Sequence, residues 1–188
     1  MFTIQTATPE DYAEITALDT TLSEFCQDGI QHLDSSMAWR LWLESSITYK
    51  AVSSDNKIIG VAVAFSVKKR GWCIHKILIS TAYLQDNLAQ LLLEKMLAKI
   101  DKREEKSFVI VHPQDLYSLK MYSALGYSNQ TFHKDYLGKH EDRYVLLRPK
   151  RWMDVEKSKK KIKKSTSNPW DIPSILNTDN YSSNRLPN

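Results

Sequence analysis

The chain has 188 residues, 42% of them hydrophobic and 26% charged, with a formal net charge of +4. That length buries one sizeable core, and that composition excludes a disordered or fibrous chain in favour of a soluble globular one. No apolar run is long enough to span a membrane, and the start lacks a basic n-region followed by an apolar stretch, so neither a membrane helix nor a signal peptide is expected.

Taken in order, Phe2 to Thr6 alternates as a half-buried strand does. Thr8-Pro9-Glu10-Asp11 then starts a helix. Thr8 caps it, Pro9 suits the first helical position, and Asp11 reaches back as the partner in a capping box. Tyr12, Ile15, Leu18 and Leu22 are spaced to share one face. Gln27-Asp28-Gly29 breaks the pattern, and Ser35 or Ser36 caps a second helix, Met37–Ser45, carrying Trp39, Leu41, Trp42 and Leu43. Both tryptophans read as packing for this helix. Ile47–Val52 and Ile58–Val67 read as strands around a polar hairpin turn, and Lys68-Lys69-Arg70-Gly71 turns into a third, Trp72–Ser80. Those three predict an antiparallel meander.

The central stretch follows. Asn87–Ile100 is an amphipathic helix, with Leu91, Leu92, Leu93, Met96, Leu97 and Ile100 expected in the core. Residues Lys102 to Lys106 read as a solvated loop. Ser107–His112 is a strand, and Leu116–Leu125 a helix closed by Gly126-Tyr127. Gln130–Asp135 and Arg143–Arg148 complete the order β-α-α-β-β-β-α-β-α-β-β, an α/β (α+β) fold with a mixed sheet. Strand, helix, strand over Trp72–His112 predicts two parallel strands joined by a crossover. Ligands in such units sit beyond the carboxyl ends of the strands, here the turn Thr81–Leu88, where a helix N-terminus offers free N–H groups.

Charge is uneven. Residues 1–149 hold 17 Lys+Arg and 18 Asp+Glu, whereas residues 150–188 hold 9 and 4. The basic character belongs to the tail. Lys150–Lys164 can meet nucleic acid, a ribosome or an anionic surface through phosphates, or be only a solvated run. Beyond it, Ser, Asn and Pro predict disorder, although Trp170, Ile172, Ile175 and Leu176 are costly to leave exposed. The expected division is a domain of residues 1–149 and a disordered basic tail of residues 150–188. Cys26 and Cys73 are the only cysteines. Two make neither a disulfide framework nor a zinc site, so a reducing, cytoplasmic setting and no metal are expected.

The segment Ile4-Gln5-Thr6-Ala7-Thr8-Pro9-Glu10-Asp11 resembles the opening of the GNAT superfamily of acyl-CoA-dependent N-acetyltransferases. Asp115-x-x-Ser118-x-x-Met121-Tyr122-x-x-x-Gly126-Tyr127 resembles its second signature, N-x-x-A-x-x-L-Y-x-x-x-G-[FY]. Asp142-Arg143-Tyr144-Val145-Leu146 is similar to the last strand of the subgroup that acetylates protein N-termini. The resemblance covers residues 1–149. It implies acetyl-CoA as co-substrate and an amine acceptor, with a protein N-terminus as one form of it. It also implies cofactor contacts at Ile79, Leu84, Gln85, Asp86, Asn87, Leu88, Ala89, Asp115 and Ser118.

One departure stands out. The family's pyrophosphate loop reads [QR]-x-x-G-x-[GA], and here Leu84 replaces the first residue, Asn87 replaces the glycine, and only Ala89 fits. Asn87 adopts positive φ more readily than most residues, so the turn shape can survive. Asp86 sets a negative charge beside the expected phosphates, at a cost on the order of 1 kcal/mol.

Attack of an amine on a thioester needs a base for the ammonium proton, a donor for the carbonyl oxygen and an acid for the thiolate. The resemblance gives Tyr122 the acid's place; the bland alternative is a ring packed under its helix. The family's strand position for the base falls on Cys73, a poor base. His75, two residues on, is the candidate, against a purely structural strand histidine, and His112 is a further one. Two functions stay open. Tyr122 and the element order favour an active N-acetyltransferase, and the glycine-free turn favours a catalytically impaired GNAT-fold adaptor acting through its basic tail.

Overall fold

The computed structural model describes residues 1–25, 36–84 and 87–150. The expected break at Gln27-Asp28-Gly29, the Ser35 cap, Cys26, Gln85, Asp86 and the tail from Arg151 on lie outside the described residues.

Seven strands form one sheet in the order β1-β2-β3-β4-β5-β7-β6. They are β1 (Phe2–Thr6), β2 (Ile47–Ser53), β3 (Ile58–Val67), β4 (Gly71–Ile79), β5 (Ser107–Val111), β6 (Asn129–His133) and β7 (Arg143–Arg148). The helices are α1 (Tyr12–Phe25), α2 (Ser36–Ser45), α3 (Leu88–Asp101) and α4 (Leu116–Ala124). The meander β2-β3-β4 is antiparallel, as its short turns require. The pair β4–β5, joined through α3, is parallel. Among the described residues no helix is long and apolar enough to cross a membrane.

Helices cover both faces of the sheet. On one face Leu88, Leu92, Leu93, Met96, Leu97 and Ile100 of α3 and Tyr122 of α4 pack over Ala62, Ala64, Ile74, Val109 and Val111. On the other, Ile15 of α1 and Trp39 and Leu43 of α2 pack over Val61, Val63 and Leu78. A strand covered on both faces must be apolar at every position, which explains the Val/Ala run of β3. The residues chosen for the face of α1 all pack there, Tyr12, Leu18 and Leu22 from its margin. At its start the main-chain N–H of Thr8 donates to Asp11 Oδ2 at 2.8 Å, the expected capping contact.

Three expectations need correction. Leu91 is 39% exposed, not core, because the buried stripe of α3 runs through residues 88, 92, 93, 96, 97 and 100 and leaves it on the far side. Residues Lys102 to Lys106 are not simply solvated. The carboxylate of Glu105 accepts the indole N–H of Trp72, the guanidinium of Arg103 lies 4.8 Å above the Trp72 ring, and the carbonyl of Lys106 accepts the Trp72 N–H at 2.9 Å. The sixth strand ends at His133, since Asp135 takes φ 52° and starts the loop to β7.

The start of α3 sits close on the sheet because Gly60 of β3 has no side chain. A Cβ built there would lie 3.2 Å from Leu88 Cδ2 and 3.1 Å from Ile79 Cδ1. At the end of α4, Gly126 takes φ 96°, which turns the chain back so that Tyr127 N–H donates to the Tyr122 carbonyl at 3.1 Å. The closing Tyr-x-x-x-Gly-Tyr is thus a helix stop that sets two phenols edge-on.

Candidate active site

The sheet opens between its two parallel strands. Pairing of β4 with β5 runs from Trp72↔Ser107 to Ile74↔Val109, yet β4 continues to Ile79 against β3 and β5 to Val111 against β7. Beyond Ile74 and Val109 the facing edges of β4 and β5 lack each other as partners. They present main-chain N–H and C=O groups as an edge strand does. Both helices that follow these strands begin at this end of the molecule, α3 after β4 and α4 after β5.

At α3 the turn residue Asn87 sits in the left-handed region, φ 52° and ψ 22°. The glycine-like shape persists without glycine, by the tolerance that asparagine has for this region. Asn87 makes no side-chain cap hydrogen bond, and the first amides of α3, those of Leu88, Ala89 and Gln90, have no acceptor within the helix, the arrangement that suits an anion. These groups fit a phosphate; no basic side chain lies in the turn to assist them. Leu84 is 58% exposed and Leu88 buried; Ile79, at the end of β4, packs on the α3 side of the sheet. At α4, Asp115 is the N-cap, and its Oδ1 accepts the Ser118 N–H at 2.9 Å. That contact orients the first turn of α4.

Tyr122 is buried, its ring 5.2 Å from that of Tyr127 in an edge-on contact. Burial pushes its phenol well above the ordinary value near 10, and the neighbouring Tyr127, Asp115 and Cys73 act the same way. It therefore stays protonated at neutral pH. Tyr127 is fixed by a 2.9 Å hydrogen bond with Ser107 Oγ. Burial also raises the Cys73 thiol, to about 11, which agrees with its dismissal as a base.

His75 lies on the opposite face from Tyr122. Its ring is exposed and meets Trp42 at 4.8 Å and Phe65 at 5.4 Å, both edge-on. The start of α3 and Tyr122 thus lie on one face of the sheet and His75 on the other. His112, just past β5, accepts the Gln114 N–H on Nδ1 at 3.2 Å. Of Gln85 and Asp86 nothing is described.

Sequence reasoning missed Asp19 and Lys76. The Lys76 ammonium lies 2.9 Å from the Asp19 carboxylate, beneath α1 and α2. A signal existed. Asp19 falls one turn after Ile15, on the buried stripe of its helix, and Lys76 interrupts an apolar strand.

The model of the acetyltransferase (GNAT) domain family matches residues 11–136, more than half of the chain. No curated protein sequence matches. Solved structures are similar at low identity. The ribosomal-protein-S18-alanine N-acetyltransferase of Escherichia coli is 18% identical with a TM-score of 0.65, covering 79% of this chain and 94% of that one. An N-acetyltransferase of Staphylococcus aureus Mu50 is 18% identical with a TM-score of 0.69, over 79% and 97%. A chain of the NatC complex bound to Gag peptide and CoA is 17% identical with a TM-score of 0.66, over 79% and 98%. The matched stretch runs from the capping Asp11 through the whole opening between β4 and β5 to the loop after β6, and on that ground the chain belongs to the GNAT acetyltransferase family.

Proposed function

We propose that this protein transfers the acetyl group of acetyl-CoA to an amine, with a protein N-terminus as the acceptor. The observation that carries the reading is the opening between β4 and β5, with uncapped helix amides and a buried phenol on one side of it and an exposed histidine on the other. Acetyl-CoA, when bound, supplies an acyl carbon activated as a thioester. The amides of Leu88, Ala89 and Gln90 hold its phosphates, and the free edges of β4 and β5 take up the amide groups of its arm as an added strand would. Ile79, Leu84, Asp115 and Ser118 line the approach; Gln85 and Asp86 are assigned to the same contact by the family's sequence pattern alone, in which the charge of Asp86 opposes phosphate.

In this reading the acceptor enters from the α1/α2 face, and His75 takes the proton that the ammonium must lose before its nitrogen can attack. Tyr122 donates its O–H to the sulfur as negative charge gathers there. A thiol ordinarily titrates near 8.5, below the raised phenol, so the proton rests with the phenol. Tyr122 acts as a hydrogen-bond donor, a role typically worth about 10²–10³-fold in turnover. Support for a protein N-terminus comes from two of the similar folds, one named for the alanine of a ribosomal protein and one bound to a Gag peptide with CoA. The basic run Lys150–Lys164 is the proposed contact with a phosphate-bearing surface near that acceptor.

Titration calorimetry with acetyl-CoA, followed by a thiol-release assay with peptides of varied first residue, tests the proposal. Binding below about 1 mM, the upper range of ordinary Michaelis constants, together with thiol release on some peptide, is the expected result. Absence of both would leave the adaptor reading in its place.

A further inference from the structure

Relative to β3, β4 carries one residue too many. Val63 faces Lys76 and Ala64 faces Ile74, so His75 is the extra residue of a bulge. It follows directly on Ile74, the last residue that pairs with β5. A bulge bends its strand and increases the local twist. This one turns β4 away from β5 where the opening begins.

A bulge also sets two successive side chains on one face. Here they are His75, against Trp42 and Phe65, and Lys76. The Lys76 ammonium donates to both carboxylate oxygens of Asp19, at 2.9 and 3.2 Å. Asp19 of α1 is 1% exposed, and the side chain of Lys76 12%. The second oxygen of Asp19 also accepts the indole N–H of Trp39 of α2, at 2.6 Å. One carboxylate therefore joins both helices to the strand at its bulge.

Such a pair is a poor device for stability alone. Taking two charges out of water offsets most of their attraction, and well-packed apolar residues of similar volume often serve as well or better. What an ionic hydrogen bond adds is direction, since its length and angle are fixed where apolar contacts slide. We propose that Asp19 and Lys76 are positioning residues, a buried strut that holds the β4 bulge and so sets the width of the opening in which thioester and amine meet. This inference rests on the opening being the reaction site.

The test is the double variant Asp19→Asn with Lys76→Met. It removes both charges, keeps an amide oxygen for Trp39 and keeps the length of the strand residue. It is expected to melt within a few degrees of the wild type and to bind acetyl-CoA nearly as well, because the amides of α3 are on the other face. Its kcat should fall by about tenfold or more, as misplacement of reacting groups does. Amide hydrogen exchange at His75, Lys76 and Ile77 should quicken relative to Tyr49 and Ala51 of β2. Wild-type kcat in the double variant, or unchanged exchange at those three amides, would overturn the strut. If the wild type acetylates no peptide, the proposed activity fails and the exchange measurement alone decides. If the double variant does not fold, Lys76→Arg, which keeps both charges and changes only the reach and angle of the contact, is read in the same way.

Discussion

The phenol of Tyr122 is held by burial and by Tyr127, and both are properties of the ring, not of its hydroxyl. Tyr122→Phe keeps the ring and removes the donor. In an active enzyme it should lower kcat by about 10²–10³-fold and leave acetyl-CoA affinity nearly unchanged, because the sulfur gains charge only as the reaction proceeds. Steady-state kinetics with calorimetry separates the two quantities. Equal activity would make Tyr122 packing only. Asp11 is a second single-residue case. Burial tends to raise its carboxyl, but the Lys50 ammonium and the Thr8 N–H outweigh that and hold it below the usual carboxylate range. A depressed folded value contributes stability above the unfolded value of about 3.9, and that stability is lost as pH falls through the folded value. Melting temperature should therefore decline below about pH 4, and in Asp11→Asn that part of the decline should vanish. An identical acid limb in the variant would remove Asp11 from the account.

At the scale of elements, the start of α3 depends on one backbone conformation. Asn87 at φ 52° does there what glycine does elsewhere in the family. Asn87→Ala should cost up to about 1 kcal/mol in stability, because alanine meets the same Cβ crowding in that region without the short polar side chain that lets asparagine tolerate it. Replacing Asp86 and Asn87 both by glycine should tighten acetyl-CoA by about fivefold, the equivalent of the roughly 1 kcal/mol of repulsion removed. Calorimetry on the double-glycine variant settles the point, and affinity that stays the same or weakens would show that the turn does not hold the phosphates. The opening itself is likewise a property of elements: pairing of β4 with β5 stops at Ile74, where β4 meets its bulge against β3.

At the scale of the molecule, the sheet and the helices of the described residues are closed by Arg148 at the end of β7. Its guanidinium grips both oxygens of Asp101, at 2.5 and 2.8 Å, and the carbonyl of Leu125 at 2.9 Å. The last strand, the end of α3 and the end of α4 are joined there. A chain ending at Pro149 keeps every one of these contacts. It is expected to be soluble and to melt in one transition near the full-length temperature. A molten or insoluble product would show that Trp170 and its neighbours belong to the core. The net charge of the shortened chain also turns from basic to slightly acidic, so binding to polyanions should be lost while acetyl-CoA binding persists.

Element order was legible in the sequence because it rests on local causes. Thr8-Pro9 starts a helix, Gly126 stops one, and an apolar run such as Ile58–Val67 needs cover on both faces wherever it lies. The left-handed turn at Asn87 was legible for the same reason, since that preference belongs to the residue. Two things were not. Leu91 has the hydrophobicity of a core residue, and only the packing of its neighbours against the sheet turned it outward. The bulge at His75 is a mismatch between β3 and β4, where Val63 faces Lys76 but Ala64 faces Ile74, a relation between two strands that no spacing within β4 records. That mismatch put His75 and Lys76 on one face and sent Lys76 to Asp19, directly after the last residue of β4 that pairs with β5. The sequence by itself determined which elements form and in what order. The tertiary structure decided which side chains meet, because register and burial are settled only when strands from distant parts of the chain pair and compete for the same interior.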